Sequence, residues 1–598
     1  MPRSSRSFEI YRKIREIFQL SSDSSHGVNQ QVQLELKEDI RQKKEDFLSL
    51  GRELDQWEIM SMEQMGNRCS DWSKIKVSDD FHPESYINNT LIGANYLGFQ
   101  QGVIKIGGRE IACGVKNSTL KHCHVESSVS IQQVNWMESI FFSSGSRCWN
   151  VGVFEHKERF WMQHFELSVG SEVNGRVLTV FPEMDPRQAE LMLKFSEEKP
   201  ELPHSQIHFS IVSNHVEIEN VKCIQHVYLG SGTIVQGASE LKHVTTLSEL
   251  DEPVFIGTNV SVIRSILQWG CKCDRGAQLE RAFLFEYSSV DQNGMMSDSC
   301  LGSNSHVAKG EITACFVGPF VGMHHQSLLI GTIWPEGKGN VGYGANVGSN
   351  HTGRAPDQEF WAGEGEFFGL SSSIKFPAYH REASYSIIAT GVTLPPSKLE
   401  LPFSLITPSS NEDGDVHGEL ELIPAWMLTS NRYSLVRSAW KIRTRNKSKR
   451  YTFESNYLNR RSVLAILKAL DFLESLPNQP IIHKSDLDLL PGIFIKQANV
   501  NKAIEVYREC LELFFSKADL ENPENLVLFD QSKLTSVPDL ERISVLKQKE
   551  LDLAIFSFQK DRIRGKQMTP DYDHYHPLAE SDPCLMELKK EIEKTSQI

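Results

Sequence analysis

Residues 229–247 read LGSGTIVQGASELKHVTTL. Leu229, Val235, Leu241 and Leu247 stand six positions apart, a spacing that belongs neither to a strand nor to an α-helix. The residue four places after each of the first three is small or β-branched: Thr233, Ser239 and Thr245. The same spacing joins Leu91, Leu97 and Val103, then Val125, Ile131 and Met137, then Leu301 and Val307. A further set runs from Val317 through Met323, Leu329, Pro335, Val341 and Val347, with Pro335 departing from the aliphatic rule. Aliphatic residues make up about a quarter of an ordinary chain, so one such run arises by chance; several confined to one region do not.

Repeated hexads predict a left-handed parallel β-helix, in which three short strands make a triangular turn of about eighteen residues and each aliphatic stacks on its equivalent one turn along. Each inward side chain adds roughly 1.5–3 kcal/mol, and no single turn can bury its own core. The expected fold is therefore mainly β: a coil over 79–406 with an inserted α/β segment at about 154–215. That insertion lacks the hexads and carries an Asn174-Gly175 turn, then a helix with Asp185 as cap and Pro186 in its first position. The repeat halts after Val347, where His351 is too large and polar for an interior slot, so 351–375 is expected to leave the coil as a loop. Ile388 and Leu394 form a last hexad pair before a stop at Pro395-Pro396. Helical spacing marks 1–78 and 451–598, with Val463, Ile466, Leu467, Leu470 and Leu473 on one face; 407–450 links the coil to the second helical region.

The chain has 598 residues, a formal net charge of −14 and 11 cysteines. An acidic balance argues against a dedicated nucleic-acid binder, and scattered cysteines in a long chain fit reduced thiols and a cytoplasmic location. No run approaches the roughly 20 apolar residues needed to span a bilayer. Arg437, Lys441, Arg443, Arg445, Lys447, Lys449 and Arg450 form a basic run that suits either an acidic partner or the acidic remainder of the chain. GKGNVG leads into a coil strand rather than a helix and so predicts no pyrophosphate site. In KHCHV, alternation would point His122 and His124 to one face, and Cys271 and Cys273 form a second pair. Neither cluster has the partner pair that a tetrahedral site needs, so no metal is assigned.

Around the halt, Arg354, Lys375, His380 and Arg381 could bind phosphate or carboxylate, or serve as solvated loop charges. Trp361 could stack a base or sugar, or anchor its own loop. Residues 79–406 resemble the hexapeptide-repeat superfamily of left-handed β-helix proteins. GYGANVGSNHTGR, SSIKFPA and SIIATGVTLPP are similar to late coils of the acetyltransferase part of sugar-nucleotide pyrophosphorylases. The full chain, with helices at both ends and a GN…DW segment before the coil, resembles an uncharacterised group of large bacterial β-helix proteins. The superfamily resemblance implies a homo-oligomer, a trimer with a groove between neighbouring coils, acyl-CoA as co-substrate, and a sugar or sugar nucleotide as acceptor. It also implies a histidine base, for which His351 and the pair His324 and His325 are the candidates, and it matches Asn350 to the family's loop asparagine. His351 and Thr352 stand where that motif has other residues. A non-catalytic sugar-nucleotide-binding or scaffolding protein is the alternative.

Overall fold

The computed structural model describes residues 23–595, apart from 107, 159, 162–163, 174, 196–205, 350–358, 411–417, 483–491, 516–538 and 577. The chain divides into two compact units, Gly27–Gly331 and a second made of Met1–His26 with Thr332–Ile598. Each contains a parallel β-solenoid.

In the first unit the ladder begins at Arg68–Cys69 and Ile75–Val77, which pair in parallel with Thr90–Ile92 and Asn95–Leu97. Three inward columns follow. One is Leu91, Leu120, Met137, Phe154, Ile224, Leu241, Val262, Leu279, Met296, Ile312 and Leu329. None of these side chains is more than 2% exposed, so the interior is continuous and dry.

The turn is shorter than the hexads imply. Met137 pairs with Phe154, Val262 with Leu279 and Leu279 with Met296, a register of 17 residues. Inward positions advance by six, six and five, as in Leu267, Cys273, Leu279 and Leu284. The short step is a corner turned by a residue in the left-handed region, two places after most members of the column above. His122, Ser139, His226, His243, Arg264, Arg281, Asp298 and Ala314 all have φ between 44° and 56°, and Gly331 has φ 55°. This corrects two hexad assignments. Thr246, not Leu247, fills the slot between Leu229 and Leu267. Leu247 instead joins an outer cluster with Phe141, Phe209, Ile211, Tyr228 and Trp269, covered by Leu36 and Ile40 of the helix Asp23–Asp46. Val103 is half-exposed in a hairpin, Val103–Ile106 with Arg109–Ala112, rather than in the interior.

The α/β insertion leaves the coil after Glu155 and returns at Ser210. It holds the hairpin Phe165–Val169 with Arg176–Val180 and the helix Pro186–Phe195. Asp185 caps that helix, its Oδ1 accepting from Gln188 N–H at 2.7 Å; Asn174 lies outside the described residues. The insertion folds back along the left-handed corner: Gly170 N–H donates to the Ala314 carbonyl at 2.7 Å, and the Arg281 guanidinium donates to the Glu166 carbonyl.

In the second unit the inward columns are Val341, Phe368, Ile388 and Ile406, then Val347, Ile374 and Leu394, then Thr332, Phe360, Ala378 and Ser397. Phe360, Phe368 and Ile374 are thus buried coil residues, which corrects the expectation of a loop for 360–375, while 351–358 lie outside the described residues. The prolines do not end the coil either: Ser397–Lys398 and Leu405–Pro408 continue it. Leu420–Ile423 then pairs antiparallel with Leu405–Pro408 and covers the last edge. The helices Arg432–Arg445, Arg460–Ser475, Gln497–Phe514, Leu540–Met568 and Pro583–Thr595 follow. The first of them takes in the start of the basic run, burying Leu435, Val436, Ala439 and Ile442, while Arg443 pairs with Glu587 at 2.8 Å. Among the described residues no helix is long and apolar enough to cross a membrane.

Candidate functional site

The residues proposed from the sequence fall into three groups, with Lys375 apart from them. Asn350, His351 and Arg354 lie outside the described residues. His324 and His325 end the strand Gly322–His324, where Met323 fills the interior and the next side chain turns outward. His324 is half-buried and His325 exposed, with φ of 67° at His325 marking the corner. The His324 ring lies 4.8 Å from His306, one turn earlier. Burial, followed by the neighbouring imidazoles of His306 and His325, lowers the pKa of His324, so its ring is neutral at pH 7.

Trp361, His380 and Arg381 are brought together in the second unit. Phe360–Trp361 and Ala378–Tyr379 are successive rungs, and Arg381 lies over the Trp361 ring at 5.3 Å. His380 is fully buried: Nδ1 is 2.7 Å from Glu366 Oε1 and Nε2 is 3.4 Å from Ser397 Oγ. Glu366 also accepts from Gly363 N–H at 2.9 Å. Glu364 accepts from Lys338 at 2.6 Å, from Tyr385 at 3.1 Å and from Asn459 at 2.9 Å. Arg381 pairs with Glu336 at 2.8 Å, and Arg461 pairs with the same carboxylate. A hydroxyl, imidazole and carboxylate in a row can move a proton. Here the row is sealed inside the coil, and it is Glu364 and Glu336 that join the coil to the helix Arg460–Ser475 and its Asn459 cap. Lys375 is half-buried at the end of the strand Ser373–Lys375.

The cysteines singled out in the sequence are interior thiols. Burial pushes Cys123 and Cys271 up to about 12, and Cys271 Sγ donates to the Phe285 carbonyl at 3.1 Å. His124 is stacked between Tyr96 and Phe141, whereas His122 turns a left-handed corner. Strand alternation therefore breaks between them, contrary to the expectation of a shared face.

A constellation that the hexad reading missed lies on the corner column of the first unit. His156, His226 and His243 occupy successive rungs, with ring centroids 4.8 and 4.7 Å apart. Glu158, at the root of the insertion, joins the last two: its carboxylate and one ring nitrogen of each imidazole lie within 4.8 Å of one another. Only a 17-residue register aligns His226 with His243, and a spacing of 18 hides the pair. A second acidic group, Glu249, Asp251 and Glu252, sits on a turn where Glu252 accepts from Tyr287 at 2.7 Å.

A family model described as Domain of unknown function (DUF4954) matches residues 51–476. The chain belongs to this family. The match ends one residue beyond the helix Arg460–Ser475, so the family unit takes in the coil strands of both units and the helix that meets Glu336 and Glu364. The chain is also 25% identical over 452 residues to an "Uncharacterized protein" of Treponema pallidum (strain Nichols), covering 71% of this chain and 61% of that relative. The chain therefore spans less than two thirds of the relative's length.

Proposed function

We propose that this protein is an acyltransferase that uses an acyl-CoA donor and a sugar or sugar-nucleotide acceptor. The observation that carries the reading is His324, a neutral imidazole on the outer side of the coil beside the exposed His325. An acceptor hydroxyl or amine attacks the thioester carbonyl, its proton passes to the imidazole, and the departing CoA thiolate takes a proton back. A histidine held neutral at pH 7 is in the state that this step needs. The resemblance to hexapeptide-repeat transferases supplies the substrate class and the homo-oligomer. The test is release of free CoA thiol across a panel of acyl-CoAs and nucleotide sugars. Acceptor-dependent release that falls about 10²- to 10⁴-fold in His324→Ala supports the reading. Absence of acceptor-dependent thiol release overturns it.

A non-catalytic sugar-nucleotide-binding or scaffolding role is favoured by a different observation: Trp361, His380 and Arg381 already have internal partners. Under that reading, nucleotide sugars raise the Tm with no thiol released, and His324→Ala leaves the shift unchanged.

A further inference from the structure

We propose that Glu158, His226 and His243 bind one divalent transition-metal ion of the zinc class, and that the ion pins the inserted segment to the coil. This goes beyond the transferase reading and does not depend on it.

The donor set comes first. Two imidazoles and a carboxylate suit Zn²⁺ or a neighbouring first-row ion, and imidazole excludes Mg²⁺ and Ca²⁺ as the preferred guests. The spacing follows from the fold. His226 and His243 both hold the left-handed corner on successive rungs, so they project side by side with rings 4.7 Å apart and 10° from parallel. Zinc–nitrogen bonds of about 2.0–2.1 Å require donors roughly 3.3 Å apart, so donors now within 4.8 Å reach one ion by rotation of the side chains alone. Glu158 is exposed, which leaves the fourth position to water.

A second observation is independent of the spacing. His226 is 6% exposed, and its buried Nδ1 has no hydrogen-bond partner. Buried polar nitrogens are normally paired, and a metal ion is one partner that would account for this one. The two lysines nearby are occupied, Lys157 by Glu155 at 2.6 Å and Lys242 by Glu240 at 2.9 Å, while Arg264 acts on His243 from one rung along. Glu158 is thus the acid set beside both imidazoles.

The placement says what the ion does. Glu158 belongs to the inserted segment and the histidines to the coil, while Glu166 and Gly170 make the further contacts along the same corner. Gln268 of the coil also donates to the Pro182 and Met184 carbonyls, both at 2.9 Å, and a shared ion adds a tie at the segment's root.

The test uses the full chain stripped with a chelator and titrated with Co²⁺, then competed with Zn²⁺. One equivalent with the visible absorption of tetrahedral Co²⁺ is expected. His226→Ala and His243→Ala should abolish it, and Glu158→Gln, at an exposed position that cannot unfold the coil, should weaken binding about tenfold or more. His574→Ala, on an exposed helix, should change nothing. Zn²⁺ should also slow hydrogen exchange across 165–180 in the wild type and not in Glu158→Gln. Less than one equivalent bound, or equal binding by wild type and Glu158→Gln, overturns the proposal.

Discussion

His124 lies flat between Tyr96 and Phe141, with ring centroids 4.3 Å away on each side. Burial drives its pKa down from 6.5 to about 4, against an opposing pull from Asp46. Between those values the unfolded chain takes up a proton that the folded imidazole refuses. Stability therefore falls as pH drops from 6.5 toward 4 and is unaffected above that window. At pH 5 the penalty from this one residue is about 2 kcal/mol. His124→Phe should shrink the loss of unfolding free energy between pH 7 and pH 5 by that amount; urea titrations at the two pH values check it, and an undiminished loss refutes it. At His380 the expectation concerns packing rather than protons. His380→Ala removes one partner from the fully buried Glu366 carboxylate and should cost about 3 kcal/mol, read as a lower urea midpoint at unchanged slope.

At the scale of the element, the five-residue step of the six-six-five rhythm depends on a left-handed residue at its corner. Ala314 holds φ 53° while 1% exposed, a conformation that disfavours a Cβ and disfavours branching more. Ala314→Val should destabilise by roughly 2 kcal/mol, and Ala314→Gly should be neutral or stabilising; thermal unfolding of the pair separates this from a pure volume effect. The helix Asp23–Asp46 depends on tertiary contact. Leu36 and Ile40 cover the outer cluster, and Asp39 accepts from Tyr228 at 3.1 Å. Ile40→Asp should release it, seen as fast hydrogen exchange over 33–46 with the coil amides still protected.

At the scale of the molecule, a solenoid ladder ends in an exposed edge, and each unit covers one such edge of its own. Arg52–Glu53 runs antiparallel to Ile75–Val77 in the first unit, and Leu420–Ile423 runs antiparallel to Leu405–Pro408 in the second. An antiparallel strand closes the parallel repeat, and in the second unit its other edge is taken in turn by Ile493–Lys496, which pairs with Leu420 and Glu421. Leu422→Pro breaks the second cap opposite Ile406 and should give concentration-dependent self-association by light scattering, where the wild type shows a fixed species.

The sequence by itself determined that a dry interior runs along the chain with a period near six, where the insertion interrupts it, and that helices flank it. Those features live in which side chains are apolar and at what spacing, and that is written residue by residue. Helical caps such as Asp185 were equally legible, because a cap is a contact between residues three apart. Only the tertiary structure decided the 17-residue register, since one backbone torsion at each corner removes a residue from the turn without changing the apolar pattern on either side. That register carries Leu247 out of the interior to lie under a distant helix, and sets His226 beside His243. The sealing of His380 between Glu366 and Ser397 was hidden for the same reason: a polar residue near a break reads as a ligand group until the coil rungs that enclose it are in place.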